Sequence, residues 1–214
     1  MTYDTVPQKT FSLPTMSPKF SELPLPTPPA WEDIFGNANP VEVEIGPGKG
    51  SFLLAAAQNT PEHNFFGVEF SRRRVYRIKE LIEREQPGNV LALAADIGCV
   101  LNTLIRPESV TIFHLYFPDP WWKRRHQRRR LFQGDFCVAL TRALVPGGKI
   151  LIATDVHTYF IEMVRQLEAV TELTRFPWQR DQRNRNGKLI LTDFERQFMD
   201  AGKPIHYAGF CKTV

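Results

Sequence analysis

A single carboxylate, Asp119, lies between two prolines and is followed by two tryptophans, Trp121 and Trp122. Proline fixes φ and removes a backbone donor, so this acid is expected to have a preset geometry. Six basic residues, here called the cationic strip, follow within eight positions: Lys123, Arg124, Arg125, Arg128, Arg129 and Arg130. Indole rings offer faces for base stacking, and clustered cations neutralise phosphates. The segment is therefore suited to a nucleobase whose backbone carries phosphates.

The cationic strip also has an ordinary explanation, because basic runs are often solvated helix faces or localisation signals. The chain of 214 residues carries a net charge of only +4, from 27 basic and 23 acidic residues. Its basicity is therefore local, which favours one anion-binding face over a general coat of positive charge. The length and the 43% of apolar residues suit one domain of generous size with a real core.

Cysteine usage and hydropathy restrict the compartment and the kind of site. The three cysteines are odd in number and lack zinc-site spacing, which predicts a reducing compartment, no disulfide framework and no metal. No apolar run approaches the roughly 18 residues that a membrane helix needs. The N-terminus lacks the charged-then-apolar pattern of a secretory signal. We therefore expect a cytoplasmic protein that does not contact a membrane.

Apolar strands alternate with helices from residue 41 onward. Strands are predicted at residues 41–45, 64–70, 90–96, 110–117 and 149–154. Helices are predicted at 51–58 and 72–86, shortly after 96, at about 127–144 and at 157–169. This alternation is typical of an α/β fold with a largely parallel sheet. A basic, irregular stretch over 175–188 precedes a last helix at 192–201 and a strand at 205–211.

The N-terminal part of the chain is rich in proline. Eight of the 17 prolines fall within residues 1–40, and such a segment is expected to run extended or disordered rather than helical. We assign residues 1–33 to this segment and residues 34–214 to the folded domain. Trp31 and Phe35 are candidates to pin the end of the segment to the domain.

Five acids end or follow the predicted strands. In open parallel sheets, ligands bind outside the carboxyl ends of the strands, near the point where the strand order reverses. Acids at these ends therefore predict a ligand pocket, although Asp96 and Asp155 have an alternative as helix N-caps. The five acids are Glu44, Glu69, Asp96, Asp119 and Asp155.

The turn after the first strand has a glycine at every second position, beginning with Gly46 and Gly48. Glycine lets a backbone approach a ligand closely, but the third glycine comes one residue too early for the dinucleotide pattern G-x-G-x-x-G. Glu44 beside this turn suits a cationic ligand better than a pyrophosphate. Glu69 is placed to accept bonds from ribose hydroxyls, and Asp96 from an adenine amino group. A nucleoside that carries a positive centre is S-adenosylmethionine.

The chain resembles the bacterial tRNA (guanine-N7-)-methyltransferases over roughly residues 34–212. The motifs that carry the resemblance are FPDPWWKRRHQRRR, which is very specific, and FGNANP, VEVEIGPGKG, NFFGVEF, IATD and LTDFER. The resemblance implies a class I S-adenosylmethionine-dependent methyltransferase fold, which is Rossmann-like, with a mostly parallel seven-stranded sheet and helices on both faces. It also implies methyl transfer to N7 of the variable-loop guanosine of tRNA.

The resemblance further implies roles for individual residues, with Asp119 as the catalytic residue. The implied cofactor-binding residues are Glu44, Gly46, Gly48, Glu69, Asp96 and Asp119. The implied contacts with the tRNA substrate are Lys123, Asp155, Thr192, Asp193, Phe194 and Glu195. The cationic strip is expected to bind the RNA backbone through its phosphates. A monomer and a homodimer both remain open.

Some of these residues also have structural explanations. Thr192 and Glu195 have the spacing of a capping box at a helix start, which is compatible with an RNA contact as well. His114, in the middle of a strand, is expected to be a packed core residue rather than a catalytic one. A second basic loop either contacts RNA or is solvated, and it contains Arg180, Arg183, Arg185 and Lys188.

Three other functions use parts of the same pattern. A nicotinamide-dependent oxidoreductase would need the G-x-G-x-x-G spacing, which is absent. A methyltransferase acting on a protein or a small molecule leaves the cationic strip without a purpose. A non-catalytic RNA-binding protein on the same fold would lack one or more of the pocket acids, and all five are present.

Overall fold

The computed structural model describes residues 27–122, 125 and 130–213, and the elements below are those of this part of the chain. The strands are β1 (Val41–Ile45), β2 (Asn64–Glu69), β3 (Val90–Ala94), β4 (Val110–Tyr116), β5 (Leu144–Thr154), β6 (Leu173–Phe176) and β7 (His206–Lys212). The helices are α1 (Trp31–Phe35), α2 (Ser51–Asn59), α3 (Arg72–Glu85), α4 (Ile97–Thr103), α5 (Gly134–Ala143), α6 (His157–Glu168) and α7 (Asp193–Asp200). The predicted alternation of strands and helices is confirmed.

The strands form one seven-stranded sheet in the order β3-β2-β1-β4-β5-β7-β6. The five strands from β3 to β5 in this order are parallel neighbours, whereas β7 pairs antiparallel with both β5 and β6. The mostly parallel seven-stranded sheet is therefore confirmed. The strand order reverses between β1 and β4, where the carboxyl ends of two parallel strands leave room for a ligand.

Helices cover both faces of the sheet, which explains why the parallel strands are largely apolar. Successive residues of a strand point to opposite faces, and Phe65 and Phe66 accordingly belong to different apolar cores. One core is closed by residues of α4, α5 and α6, such as Leu140. The other is closed by α2 and α3, through residues such as Leu53 and Ile78.

The helix predicted over about 127–144 is wrong in its first part. Helix α5 begins at Gly134, and its N-cap, Gln133, has an extended backbone. Leu131 and Phe132 pack against the core without forming a helix, so their apolar character reflects burial rather than helical periodicity. Residues 127–129 lie outside the described part of the chain.

Residues 146–148, just before the strand predicted at 149–154, form an irregularity inside β5. Val110 of β4 pairs with Leu144, whereas Ile112 pairs with Lys149, so the register shifts between them. Gly147 has a φ of 76°, a value that glycine adopts readily and other residues rarely do. The strand therefore begins at Leu144 rather than at residue 149.

Two short elements were not predicted. Strand β6 occupies residues that precede and enter the stretch expected to be irregular, and it is held by antiparallel pairing with β7. Helix α1 spans the proposed boundary between residues 33 and 34. Trp31 is buried, and its ring lies 5.3 Å from Phe66 and 6.0 Å from Phe35, so the expected pinning of this segment by Trp31 is confirmed. Within the described residues, no helix has the length and apolarity to cross a membrane.

Candidate active site

The turn between β1 and α2 opens at the reversal point of the strand order. Gly46, Gly48 and Gly50 have φ values of 74°, 59° and 83°, which side chains with a Cβ rarely adopt. A Cβ on Gly50 would also lie 3.0 Å from Ile78 Cγ1, so this glycine lets α2 approach α3. Around Gly46, by contrast, no atom of the described residues other than its own chain neighbours lies within 4 Å of an added Cβ. The first part of the turn is thus accessible to a ligand.

Glu69, at the end of β2, is hydrogen-bonded to this turn. Its Oε2 accepts a hydrogen bond from the Gly48 amide at 3.2 Å, and its Oε1 accepts one from the Ser71 amide at 2.9 Å. The side chain is buried, and Arg74 Nη1 lies 3.5 Å from Oε2. These contacts hold Glu69 in one orientation. Because each carboxylate oxygen can accept a further hydrogen bond, Glu69 can still accept hydrogen bonds from ribose hydroxyls.

Glu44, near the end of β1, is buried and incompletely paired. Only 3% of it is exposed, and its Oε2 has no hydrogen-bond partner among the described residues. Burial raises the pKa of Glu44 to about 8; Arg180 opposes this shift, and the carboxylate of Glu195 adds to it. A buried carboxylate without a partner costs free energy. The orphaned oxygen therefore fits the amino group of a cationic ligand.

Asp96 follows β3 and is exposed. Its Oδ1 accepts a hydrogen bond from the Cys99 amide at 3.1 Å, so the N-cap alternative is confirmed for this residue. Capping uses Oδ1 and is compatible with a ligand contact through the other oxygen.

Phe70 was not predicted from the sequence, although it directly follows the acid that ends β2. It is 80% exposed, and a ring at this edge offers a face for a flat base.

Asp119 is exposed in a turn with an unusual backbone. Phe117 and Trp121, on either side of it, have φ values of 53° and 44°, which are uncommon for residues other than glycine and store strain. The Phe117 amide donates to the Ala153 carbonyl at 2.8 Å, which fixes the start of the turn to β5. The predicted preset geometry of the Asp119 turn is therefore present.

Arg130 anchors the other end of this turn. Its Nε donates to the Pro120 carbonyl at 2.8 Å, its Nη1 pairs with Glu162, and its guanidinium lies 5.0 Å from the Tyr159 ring centroid. These contacts occupy the guanidinium within the protein, so the assignment of Arg130 to an RNA-binding strip is corrected to a structural role.

Of the remaining cationic strip, Arg125 is exposed. The other members of the cationic strip lie outside the described residues: Lys123, Arg124, Arg128 and Arg129.

The start of α7 lies against both the glycine turn and the Asp119 turn. The Ser51 hydroxyl, at the first position of α2, lies 3.0 Å from each carboxylate oxygen of Asp193. Phe194 is 53% exposed, and its ring centroid lies 5.9 Å from that of Phe117. Thr192 accepts a hydrogen bond from the Glu195 amide, which confirms the predicted capping box. Tertiary contacts therefore bring the late segment 192–195 to the strand ends.

Glu195 is fully buried and forms an ion pair with Arg180. Arg180 Nε lies 2.9 Å from Glu195 Oε1, and Arg180 Nη2 lies 3.1 Å from Oε2. Glu195 also accepts hydrogen bonds from the Tyr207 hydroxyl and the Thr192 amide. With 0% of it exposed, Glu195 is not available for the direct tRNA contact that the resemblance implies. Its observed role is to position the start of α7.

Arg180 is likewise not a member of a solvated or RNA-contacting loop. Its guanidinium lies 4.1 Å from the Tyr116 ring centroid and 4.7 Å from that of Phe52, and only 9% of the residue is exposed. Burial lowers the pKa of Arg180, but Tyr116 and Glu195 outweigh it and hold the pKa above its ordinary value. The three other basic residues of this loop are exposed: Arg183, Arg185 and Lys188.

A further buried carboxylate, Glu42, was not recognised from the sequence. Its Oε2 lies 2.6 Å from His114 Nε2, and its Oε1 lies 2.7 Å from His63 Nδ1. His114 Nδ1 lies 2.7 Å from the Tyr116 hydroxyl, which in turn accepts from Arg180. The prediction of His114 as a packed core residue is confirmed. An alternation of acids inside an otherwise apolar strand, VEVEI, is the pattern that would have indicated such a network.

Asp155 follows β5 and is half-buried. The N-cap of α6 is Val156, without a side-chain cap bond, so the N-cap alternative is wrong for Asp155. Its charge raises the pKa of His206, which burial and His157 lower by a larger amount. Asp155 thus lies at the edge of the sheet where the other acids gather, with no capping duty.

Comparisons with known proteins agree with this geometry. A family model described as "Putative methyltransferase" matches residues 38–208. A tRNA (guanine-N(7)-)-methyltransferase of Nitrosomonas eutropha is 34% identical over 202 residues, which cover 94% of this chain and 88% of that protein. One of Rhodopirellula baltica is 32% identical over 187 residues, which cover 85% and 69%. A solved S-adenosylmethionine-dependent methyltransferase from Aquifex aeolicus aligns with a TM-score of 0.55 and 13% identity, covering 85% of this chain and 87% of that one.

A seven-stranded sheet with its glycine turn at the reversal point defines a class I methyltransferase, and the solved relative has this fold. The protein is an enzyme whose methyl donor is S-adenosylmethionine, for which Glu44 and the glycine turn provide fitting contacts. The identity and coverage of the two named relatives are specific enough to go further. The chain belongs to the tRNA (guanine-N7-)-methyltransferase family.

Proposed function

We propose that the protein transfers a methyl group from S-adenosylmethionine to N7 of the guanosine in the variable loop of tRNA. The observation that carries this proposal is the placement of Asp119. It is an exposed carboxylate in a turn held by two prolines and flanked by two residues with left-handed backbone. This turn directly follows β4 at the reversal point of the sheet, and the named relatives are tRNA guanine-N7 methyltransferases.

The surroundings of Asp119 support a flat aromatic substrate. Phe194 stacks on Phe198 with ring centroids 6.1 Å apart, and both rings lie within 6 Å of Phe117. Phe194 is largely exposed, so this cluster offers an aromatic surface beside the acid. Stacking on such a surface contributes about 1–3 kcal/mol per base. A base splayed out of the loop can therefore be held between the aromatic cluster and Asp119.

Methylation at N7 requires little acid–base catalysis from the protein. Guanine N7 has an exposed lone pair and no proton, so the reaction needs no general base. When bound, S-adenosylmethionine supplies an electrophilic methyl group, whose carbon–sulfur bond breaks as N7 forms the new carbon–nitrogen bond. The residues of the site therefore act by positioning and by stabilising a guanine that becomes cationic.

Each acid of the site has a distinct task in this proposal. Glu44 would hold the amino group of the donor, Glu69 its ribose hydroxyls and Asp96 its adenine amino group. Asp119 accepts hydrogen bonds from N1–H and the exocyclic amine of guanine and opposes the positive charge that develops on the ring. Asp155, which follows β5 at the same edge of the sheet, would share the second task.

Product analysis tests the reaction and the position together. The protein is incubated with unmodified tRNA transcript and methyl-labelled S-adenosylmethionine, and the digested nucleosides are identified by mass. A matched transcript has adenosine in place of the variable-loop guanosine alone. We expect N7-methylguanosine from the first transcript and none from the second. The same product from both would overturn the variable-loop position, and a different labelled nucleoside would overturn guanine N7 as the target.

The role of Asp119 is tested by Asp119→Ala. We expect kcat to fall by roughly 10²–10³-fold, as for loss of one electrostatic contact to the transition state, with tRNA affinity nearly unchanged. Asp135→Ala, which removes an exposed acid from the first turn of α5, is the matched control and should leave both values unchanged. Equal losses of turnover and tRNA affinity in Asp119→Ala would contradict a role confined to catalysis.

A further inference from the structure

Helix α3 carries four of its six basic residues in its first two turns. Its sequence, RRRVYRIKELIERE, has four arginines and no acid among the first six residues. The three acids of the helix, Glu80, Glu83 and Glu85, all lie in its second half. None of these arginines belongs to the cationic strip, and the proposed function assigns them no role.

This distribution is the reverse of the one that stabilises a helix. The N-terminus of a helix carries a partial positive charge, so acids are favourable in the first turn and cations are favourable in the last. The first turn of α3 contains no acid, and its side-chain cap comes from Ser71, which accepts a hydrogen bond from the Arg74 amide. The stability of the helix therefore does not explain why arginines occupy its start. A negatively charged partner would explain their position.

The arginines are partly arranged on one outward face. Residues three and four apart are neighbours on a helix surface, so Arg73, Tyr76 and Arg77 lie side by side. Val75 and Ile78 point into the core, with 4% and 0% exposed. Tyr76 is 65% exposed. The outward face of the first two turns thus presents two cations around an aromatic ring.

These side chains have little to bind within the protein. Among the arginines of this end, Arg74 lies 3.5 Å from the buried Glu69 and is thereby partly engaged. Arg72, Arg73 and Arg77 are exposed and form no ion pair or side-chain hydrogen bond with a described residue. Their charge is therefore available to a partner.

The basic face borders the edge at which the reaction is proposed to occur. Helix α3 begins three residues after Glu69, whose carboxylate accepts a hydrogen bond from the glycine turn. The start of α3 and the Asp119 turn both follow carboxyl ends of parallel strands and so lie at the same edge of the sheet. A tRNA whose variable loop enters this edge extends beyond it on either side, and its phosphates would then meet the start of α3.

We propose that Arg72, Arg73 and Arg77 form a second tRNA-binding surface, which binds backbone phosphates separately from the cationic strip. This inference rests on the proposed function. Charge complementarity favours a nucleic acid here, because the surface has clustered arginines around an exposed ring. The contact is expected to position the tRNA without reading its sequence.

The test compares Arg73→Gln/Arg77→Gln with a charge-matched control, Arg84→Gln/Arg165→Gln. The control residues are exposed on the last turn of α3 and on α6, and the control removes the same charge. Glutamine preserves helix propensity, and loss of cations from a helix start leaves the melting temperature equal to or above that of the wild type. The affinity for unmodified tRNA transcript is measured by fluorescence anisotropy across a salt series, alongside kcat, KM and the affinity for S-adenosylmethionine.

We expect Arg73→Gln/Arg77→Gln to weaken tRNA binding by roughly ten- to a hundredfold near 0.1 M salt and to reduce the salt slope by about 1.4–1.8. KM for tRNA should rise with kcat and S-adenosylmethionine affinity unchanged, and the control should bind as the wild type does. Equal weakening in both variants would reduce the effect to general charge and overturn the surface. Unchanged binding in the first variant would overturn it as well. Failure of the wild type to form N7-methylguanosine would instead count against the proposed function.

Discussion

Glu42 and Glu44 lie two residues apart on β1, and both are buried, yet their surroundings differ. Burial disfavours the Glu42 carboxylate, but hydrogen bonds and charge from His114 and His63 outweigh it and lower the pKa of Glu42 to about 2. Glu44 has one oxygen without a partner among the described residues, and burial raises its pKa to about 8. The same residue type on the same face of one strand is thus satisfied in one place and left unsatisfied in the other.

The satisfied region extends well beyond Glu42. His114, Tyr116 and Arg180 connect Glu42 to Glu195, so that a continuous set of hydrogen bonds runs from the middle of the sheet to the start of α7. Buried networks of this kind hold a structure in one arrangement when every member is paired. We infer that this region maintains the architecture of the site.

The unsatisfied region is the one in which we propose that the reaction takes place. Glu44 is buried with an orphaned oxygen, and Asp119 is exposed in a strained turn. Groups that a protein leaves without partners at a strand edge are available to a ligand. The difference between the two regions therefore separates acids that stabilise the fold from acids that we propose bind the cofactor and the guanine.

Breaking the satisfied region should have the largest effect on stability. Arg180→Met leaves Glu195 buried without its ion-pair partner, so we expect the free energy of unfolding to fall by about 3–5 kcal/mol. Urea denaturation monitored by tryptophan fluorescence measures this loss. Arg175→Met, which removes a half-exposed partner of Glu168, is the matched control and should cost about 0–1 kcal/mol.

A double variant sharpens the same comparison. Arg180→Met/Glu195→Met removes both charges, so the variant should be more stable than Arg180→Met alone. If the double variant is as unstable as the sum of the two single losses, the ion pair is not the unit that stabilises the start of α7. The network would then act through its aromatic contacts instead.

The pH dependence of stability should distinguish Glu44 from Glu42. Because the folded pKa of Glu44 is about 8, above its ordinary value, the folded state binds more protons than the unfolded state between about pH 4.5 and pH 8. Stability contributed by neutral Glu44 is therefore lost as pH rises through this window. We expect Glu44→Gln to flatten the decline and to be more stable than the wild type near pH 8, by up to a few kcal/mol.

Glu42→Gln serves as the contrasting variant. The folded pKa of Glu42 is about 2, below its ordinary value, so its contribution is present above about pH 4.5 and is lost as pH falls towards 2. Glu42→Gln should therefore be less stable than the wild type at neutral pH. Denaturation curves for the two variants that run parallel across this pH range would contradict the distinction between the two acids.

The smallest effect is expected at the capping box of α7. Thr192→Ala removes the side-chain oxygen that accepts from the Glu195 amide at 3.0 Å, and loss of such a cap costs about 1 kcal/mol. Thr192→Ser keeps the hydroxyl and should retain the stability of the wild type. If Thr192→Ser restores stability but not the KM for tRNA, the threonine contacts RNA in addition to capping the helix.

Local sequence patterns were sufficient to predict much of the fold and part of the candidate site. The alternation of apolar strands and helices indicated the sheet, and the glycines after β1 and the prolines around Asp119 marked its two functional turns. The spacing of Thr192 and Glu195 predicted the capping box that the structure contains. These features can be predicted from the sequence because they depend on residues only a few positions apart. The backbone preferences and side-chain contacts of such residues lie within one element or turn.

The tertiary structure alone decided which charges are paired. Glu42 meets His114 from 72 residues away, and Ser51 meets Asp193 from 142 residues away. Arg180 was read as part of a basic loop and Glu195 as an RNA contact, yet each is buried against the other. Sequence position does not reveal such pairs, because burial and partner choice depend on the strand order and on how α7 packs across the sheet. The same residue type can therefore brace the fold or bind a ligand, according to the partners that folding brings within hydrogen-bonding distance.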